Sequence, residues 1–220
     1  MNLPQTMKAA FLAAFAATLN LVSAAPDAGS PFDVQSSCAG LDPNPAPAPH
    51  PADTWEWTLE SGYLWNVGHN TDIDYEIIPT QLTLRSPVVW TWWKDENGAE
   101  IVVRNRFSGL FETITAGPES YYIGAAAAPS IEYWFPDEKT SLFYSIGGGV
   151  GWTDSSGGTD GMGQDFTLNW FTQLGIRHEL VENVSLMAGL YFIHHSNLGM
   201  TDPNPGIDAF GFTIGCGWRF

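Results

Sequence analysis

The sequence is poor in positive charge: eight Lys and Arg stand against 24 Asp and Glu, for a formal net charge of −16. Nucleic-acid binding is excluded on that ground, because phosphate contacts need a basic face. Cysteine is scarce as well, with Cys38 and Cys216 the only two. They can build neither a disulfide scaffold nor a Cys-based zinc cluster, and their separation along the chain predicts no disulfide. Beyond the N-terminus no segment approaches about 18 consecutive apolar residues, which excludes a helical membrane protein. Aromatics and glycine, by contrast, are plentiful: 14% of the 220 residues are aromatic, with 10 Trp and 23 Gly. That composition argues against a disordered chain and for a β fold with many turns. The length fits one all-β domain or two small ones.

Residues 1–24 read as an export signal. Lys8 supplies a thin positive n-region, Ala9 to Val22 an apolar h-region, and Val22-Ser23-Ala24 a small-residue cleavage site. The apolar run is too short for a span of about 20 residues, and Asn20 interrupts it. Cleavage after Ala24 removes Lys8 and no acid, moving the formal charge from −16 to −17. Residues 25–53 follow as a linker in which Pro43, Pro45, Pro47, Pro49 and Pro51 alternate with other residues. This composition favours an extended segment.

From Trp55 onward, period-2 alternation recurs between turn residues. The pattern predicts strands over 55–67, 73–85, 100–114, 119–135, 141–153, 165–179, 184–197 and 207–220. Turns are expected at Asp95-Glu96-Asn97-Gly98 and Pro136-Asp137-Glu138-Lys139, with a loop around Ser155-Ser156-Gly157-Gly158. Val88 to Trp93 could extend the second strand.

One face of each run is bulky and apolar. Phe210, Phe212, Ile214, Cys216, Trp218 and Phe220 oppose Ala209, Gly211, Thr213, Gly215, Gly217 and Arg219. A second face of Gly, Ala, Ser and Thr suits the crowded inside of a narrow barrel whose bulky face meets lipid. Runs this long exceed the usual soluble strand of about 5–6 residues and suit tilted membrane strands of about 9–11 residues with protruding ends. The terminal Phe220 resembles the assembly signal of bacterial outer-membrane barrels. The expected fold is therefore all-β, an eight-stranded antiparallel transmembrane β-barrel of the bacterial outer membrane over residues 54–220. The competing architecture is a secreted Trp-rich sandwich that binds carbohydrate. An even strand number puts both ends of the barrel domain on the periplasmic side, so the junction of the last two strands faces the cell surface.

That junction carries a constellation. On the seventh strand the lipid-facing stripe Leu186, Ala188, Leu190, Phe192 ends in His194 and Ser196. On the eighth the bulky face reaches Asp208 at its outer end, within cross-strand reach of His194 if the register allows. A serine hydroxyl needs a base to become a nucleophile, histidine serves as one near neutral pH, and an acid fixes the imidazole tautomer. Asn197, Asn204 and Gly206 lie in or beside the connecting segment, where they could donate to an oxyanion.

Phe192-Ile193-His194-His195-Ser196-Asn197 followed by Asn204-Pro205-Gly206-Ile207-Asp208 resembles the C-terminal motif of the lipid A 3-O-deacylase (PagL-type) family. That motif is H-x-S-N, then N-x-G and an acid twelve residues after the serine, and Ser196 and Asp208 keep this spacing. The resemblance is specific over about 25 C-terminal residues and architectural elsewhere. It implies an outer-membrane carboxylic ester hydrolase that needs no cofactor and no metal. Its substrate would be lipid A or lipopolysaccharide among outer-membrane lipids, losing the ester-linked 3-hydroxyacyl chain. Ser196 would be the nucleophile, His194 the base, Asp208 the orienting acid and Asn204 an oxyanion donor, with Asn197 and Gly206 in support. The best-studied members carry Glu at the acid position, so Asp208 is one methylene shorter. Self-association as a homodimer stays open. Acidic loops facing anionic lipopolysaccharide would repel it unless divalent ions bridge them, which keeps another acylated surface lipid open as substrate. A non-enzymatic barrel that merely retains the motif is the second functional alternative.

Other residues have plainer expectations. His195 should face the interior with Tyr191. His178 should mark an interface, and His50 and His69 sit in or near loops. Asp154 to Asp165 reads as a connection, and Trp90, Trp92 and Trp93 as an interfacial aromatic girdle.

Overall fold

Eight strands that alternate between a bulky apolar face and a second face can bury the second one, without leaving an edge, by closing on themselves. The computed structural model describes residues 49–68, 73–156 and 160–220. The export signal, Cys38, His69 and most of the linker lie outside the described residues. After a 3-10 turn at Pro51–Asp53, the chain forms β1 (Glu56–Asn66), β2 (Glu76–Arg85), β3 (Trp90–Lys94), β4 (Glu100–Ala116) and β5 (Tyr121–Trp134). It continues through β6 (Thr140–Thr153), β7 (Phe166–Val181), β8 (Val184–Ser196) and β9 (Ile207–Arg219). Every neighbouring pair is antiparallel, and the β1–β9 and β2–β4 pairings complete the ring.

Nine strands make an eight-stranded barrel because β3 is not a separate stave. Residues 76–85 of β2 pair with the second half of β4, and Trp90–Lys94 pair with Glu100 to Val103 at its start. β3 therefore continues β2 along the same edge of β4, past an interruption at Ser86-Pro87. The eight expected strand ranges match β1, β2 and β4 to β9, their ends differing by three residues at most. The expected turns at Asp95–Gly98 and Pro136–Lys139 join β3 to β4 and β5 to β6.

The bulky face points outward. Leu82, Phe107, Ile123, Ile146, Trp170, Leu174, Leu190 and Phe212 are exposed, a pattern that only a lipid surround accommodates. The inward face is more polar than the expected Gly, Ala, Ser and Thr. Arg85, Arg104, Arg106 and Arg177 are fully buried in the lumen with Glu56, Glu60 and Glu132. Glu132 accepts from Arg85 at 3.1 Å and from Arg104 at 3.4 Å, and Glu56 faces Arg177 at 3.0 Å. Inward residues on β5 and β6 include small ones such as Ser130, Ser145 and Gly149, which leave room for these long side chains. His195 and Tyr191 do face inward, and His195 Nε2 pairs with Glu112 at 2.9 Å.

The two rims differ. One carries the tight connections β3–β4, β5–β6 and β7–β8 and both ends of the barrel, where Phe220 N donates to Trp55 O at 3.0 Å. His178 lies on this rim, its Nδ1 2.9 Å from Thr140 Oγ1. The other rim carries the longer β1–β2, β6–β7 and β8–β9 loops and the short β4–β5 turn.

Candidate active site

The β8–β9 hairpin sets the site through its register. His194 lies directly opposite Asp208, the first pair but one before the loop. Even-numbered residues of both strands face outward, so the imidazole and the carboxylate emerge side by side on the outer wall. His194 Nδ1 and Asp208 Oδ1 are 2.7 Å apart, and both side chains remain about a quarter open. A carboxylate at that distance holds the proton on Nδ1 and leaves Nε2 as the basic nitrogen.

Two neighbours fix this pair from the flanks. On β7, Trp170 pairs with His194, their ring centroids 5.9 Å apart, and Trp170 also packs on Phe192 at 5.0 Å. On β1's side, Val67 N donates to the Asp208 carbonyl at 2.8 Å. Gly68 follows, and a Cβ there would lie only 3.1 Å from Asp208 Oδ2. Gly206 adopts φ +68, a left-handed conformation that glycine takes without strain, and lies beside the His194 imidazole.

Ser196 ends β8 on the same outward face as His194, one alternation further, and pairs with Leu168 of β7. Its Oγ accepts from Leu198 N at 3.0 Å and from Asn204 Nδ2 at 3.3 Å. The structure thus joins His194 to Asp208 and Ser196 to Asn204, but forms no hydrogen bond between Ser196 and His194. Catalytic hydrogen bonds are often long or poorly aligned until substrate is bound.

The loop from 197 to 206 is organised by Asn197, which is fully buried. Its Nδ2 donates to Met162 O at 2.7 Å and Thr201 O at 2.9 Å, and its Oδ1 accepts from Gly199 N at 2.8 Å. Both amide hydrogens are thereby engaged, so Asn197 shapes the loop and has no donor left for an oxyanion. Its backbone N donates to Asn204 Oδ1 at 3.0 Å and so fixes an amide that lies against the serine, with Nδ2 3.3 Å and Oδ1 3.4 Å from Ser196 Oγ. Asn204 is therefore the residue of the three whose side-chain donor faces the serine. Trp170, Gly68 and Met162 were not among the sequence-derived candidates. Alternation puts Trp170 on the outer face, but only the β7–β8 register puts it beside His194. No group of three or more His, Cys, Asp or Glu side chains able to hold a metal ion occurs among the described residues.

Comparison with known proteins bears on what such a site does. A family model described as lipid A 3-O-deacylase (PagL) matches residues 57–216. Among solved structures, the chain is similar to one titled "Crystal structure of the outer membrane enzyme PagL", with 18% identity and a TM-score of 0.48. The alignment covers 75% of this chain and 99% of that one. The search of curated proteins returned no match.

Proposed function

The chain belongs to the lipid A 3-O-deacylase (PagL) family, and from that premise we propose that it is a serine esterase that removes an ester-linked 3-hydroxyacyl chain from lipid A in the outer leaflet. The observation that carries the proposal is the 2.7 Å His194–Asp208 pair on the lipid-facing wall, with Ser196 next along the same stripe. A triad inside a barrel would serve a soluble substrate; one on the outer wall meets an ester that arrives sideways from the membrane.

In this reading Ser196 Oγ attacks the ester carbonyl while His194 Nε2 takes its proton. Asp208 holds Nδ1–H and stabilises the imidazolium that forms. The Asn204 amide, already 3.3 Å from Oγ, donates to the oxyanion of the tetrahedral intermediate. Collapse of the intermediate breaks the ester C–O bond. His194 gives its proton to the departing sugar hydroxyl, and the acyl group stays on Ser196. Water, deprotonated by His194, then attacks the acyl-enzyme and releases the 3-hydroxy fatty acid. Phe192 and Leu190, directly below His194 on the same stripe, supply the apolar surface along which the acyl chain lies. The residues before the barrel act as export signal (1–24) and linker (25–53).

Mass spectrometry of lipid A from cells expressing the protein, beside cells expressing Ser196→Ala, tests this. The wild type should remove one 3-hydroxyacyl unit and the variant none, with equal amounts of folded barrel. Lipid A unchanged by the wild type, or equally shortened by Ser196→Ala, would discard the proposal.

A further inference from the structure

Three of the four loops on the site rim are tied together by one carboxylate. Glu119, in the turn between β4 and β5, is only 3% exposed. Its Oε2 accepts from Tyr75 Oη at 2.8 Å, in the β1–β2 connection. Its Oε1 accepts from Ser155 Oγ at 2.8 Å and from Met162 N at 2.7 Å, both in the β6–β7 loop. Gly161 passes so close that a Cβ on it would collide with Oε1 and the Ser155 hydroxyl. Burial, and the carboxylate beside it, raise the Tyr75 phenol well above its ordinary range, so it stays a donor.

Met162 carries the linkage onward. Its N–H is held by Glu119 and its C=O accepts from Asn197 Nδ2 at 2.7 Å. Asn197 N in turn fixes Asn204 Oδ1, and Asn204 Nδ2 meets Ser196 Oγ. A second strut runs parallel: Thr201 Oγ1 donates to Gln164 Oε1 at 3.2 Å. The two peptide units that flank Met162 are thus each pinned, one at its N–H and the other at its C=O, which leaves the residue's backbone little freedom to reorient. What holds Met162 therefore decides whether Asn197 is presented with its carbonyl.

We propose that Glu119 is a positioning residue of the esterase site, acting through the Met162 peptide and Asn197 to aim the Asn204 amide at the oxyanion. The inference rests on the esterase reading above. It predicts an effect on the transition state rather than on substrate binding, because nothing in the linkage touches the acyl chain. Outer-shell residues that orient metal ligands typically contribute about 10–100-fold, and a loss of the same scale is expected here.

The experiment uses the purified full barrel in detergent micelles with lipid A as substrate, and release of 3-hydroxy fatty acid as the readout. Glu119→Ala should lower kcat by roughly 10–100-fold with KM held within about twofold. Glu119→Gln should restore most of the rate, since its remaining oxygen can still accept from Ser155 and Met162. In an Asn204→Ala background, Glu119→Ala should cost less than about twofold more, because the two changes act on one interaction. Full additivity of the two losses, or a kcat unchanged by Glu119→Ala, overturns the inference. Heat-modifiable migration checks that the barrel is intact. If Glu119→Ala does not insert, Tyr75→Phe, which removes one of the three donors, carries the same test with a smaller loss of kcat and the same non-additivity. Hydrolysis absent from the wild type would remove the esterase reading together with this inference; hydrolysis present but indifferent to Glu119 would remove this inference alone.

Discussion

The shorter arm of an aspartate is compatible with the His194 contact because the two residues are direct cross-strand partners. At that position Asp208 reaches the imidazole at 2.7 Å without any help from the loop. Replacing it with Asn should leave the barrel folded and lower kcat by about 10³–10⁴-fold, since an amide favours the wrong tautomer; fatty-acid release against substrate concentration measures this. The pairing itself could be anticipated from alternation, which places His194, Ser196 and Asp208 on outward faces. What alternation does not carry is the partnership within the loop. By position alone Asn197 and Asn204 are equivalent as oxyanion donors; the family resemblance sets Asn204 ahead, and the hydrogen bonds give the physical reason, since Asn197 spends its amide on the Met162 and Thr201 carbonyls. Glu119 was invisible for the same reason: a loop residue has no period, and its partners Tyr75 and Met162 lie 44 and 43 positions away.

Strand by strand, the sequence pattern was close to sufficient. A strand with one face in lipid must keep strict alternation over its whole length, so its ends are marked where alternation stops. Val88 to Trp93 was ambiguous because Ser86-Pro87 interrupts a strand that then resumes; the structure resolves it as the short β3 along the same edge of β4. The contents of the lumen were harder to read. The arginines fall correctly on inward positions, but their partners come from other strands, distant in sequence: Arg85 and Arg104 reach Glu132 on β5, 47 and 28 residues away. Glu132 also accepts from Trp134 Nε1 at 3.2 Å. Glu132→Ala on β5 strips the buried Arg85 of its counter-ion and leaves Arg104 with Glu56 at 3.6 Å, and a buried charge deprived of its partner costs about 3–5 kcal/mol. Urea unfolding in a detergent or lipid host should show a loss of that order, with the His194–Asp208 hairpin chemistry unaffected in the folded fraction.

Across the whole molecule, charge is sorted by position. Four arginines are buried in the lumen, and Lys94, Lys139 and Arg219 lie on the rim away from the site. The site-rim loops 67–75, 117–120, 154–165 and 197–206 contain no Lys or Arg but hold Asp72, Asp74, Glu119, Asp154, Asp160, Asp165 and Asp202. A phosphorylated lipid approaching this rim meets like charge. Turnover of phosphorylated lipid A should therefore rise with millimolar Mg²⁺ or Ca²⁺ and fall on chelation, while a dephosphorylated substrate responds little; initial rates with and without chelator decide it. The closed ring has a different consequence. His194 opens onto the wall, so a substrate that stays in the surrounding phase can reach it. The encounter is therefore two-dimensional, and the concentration that governs the rate is the mole fraction of substrate in the leaflet or micelle. Diluting lipid A with inert detergent at fixed bulk molarity should slow the reaction in proportion, as surface dilution does for an enzyme that never leaves its interface.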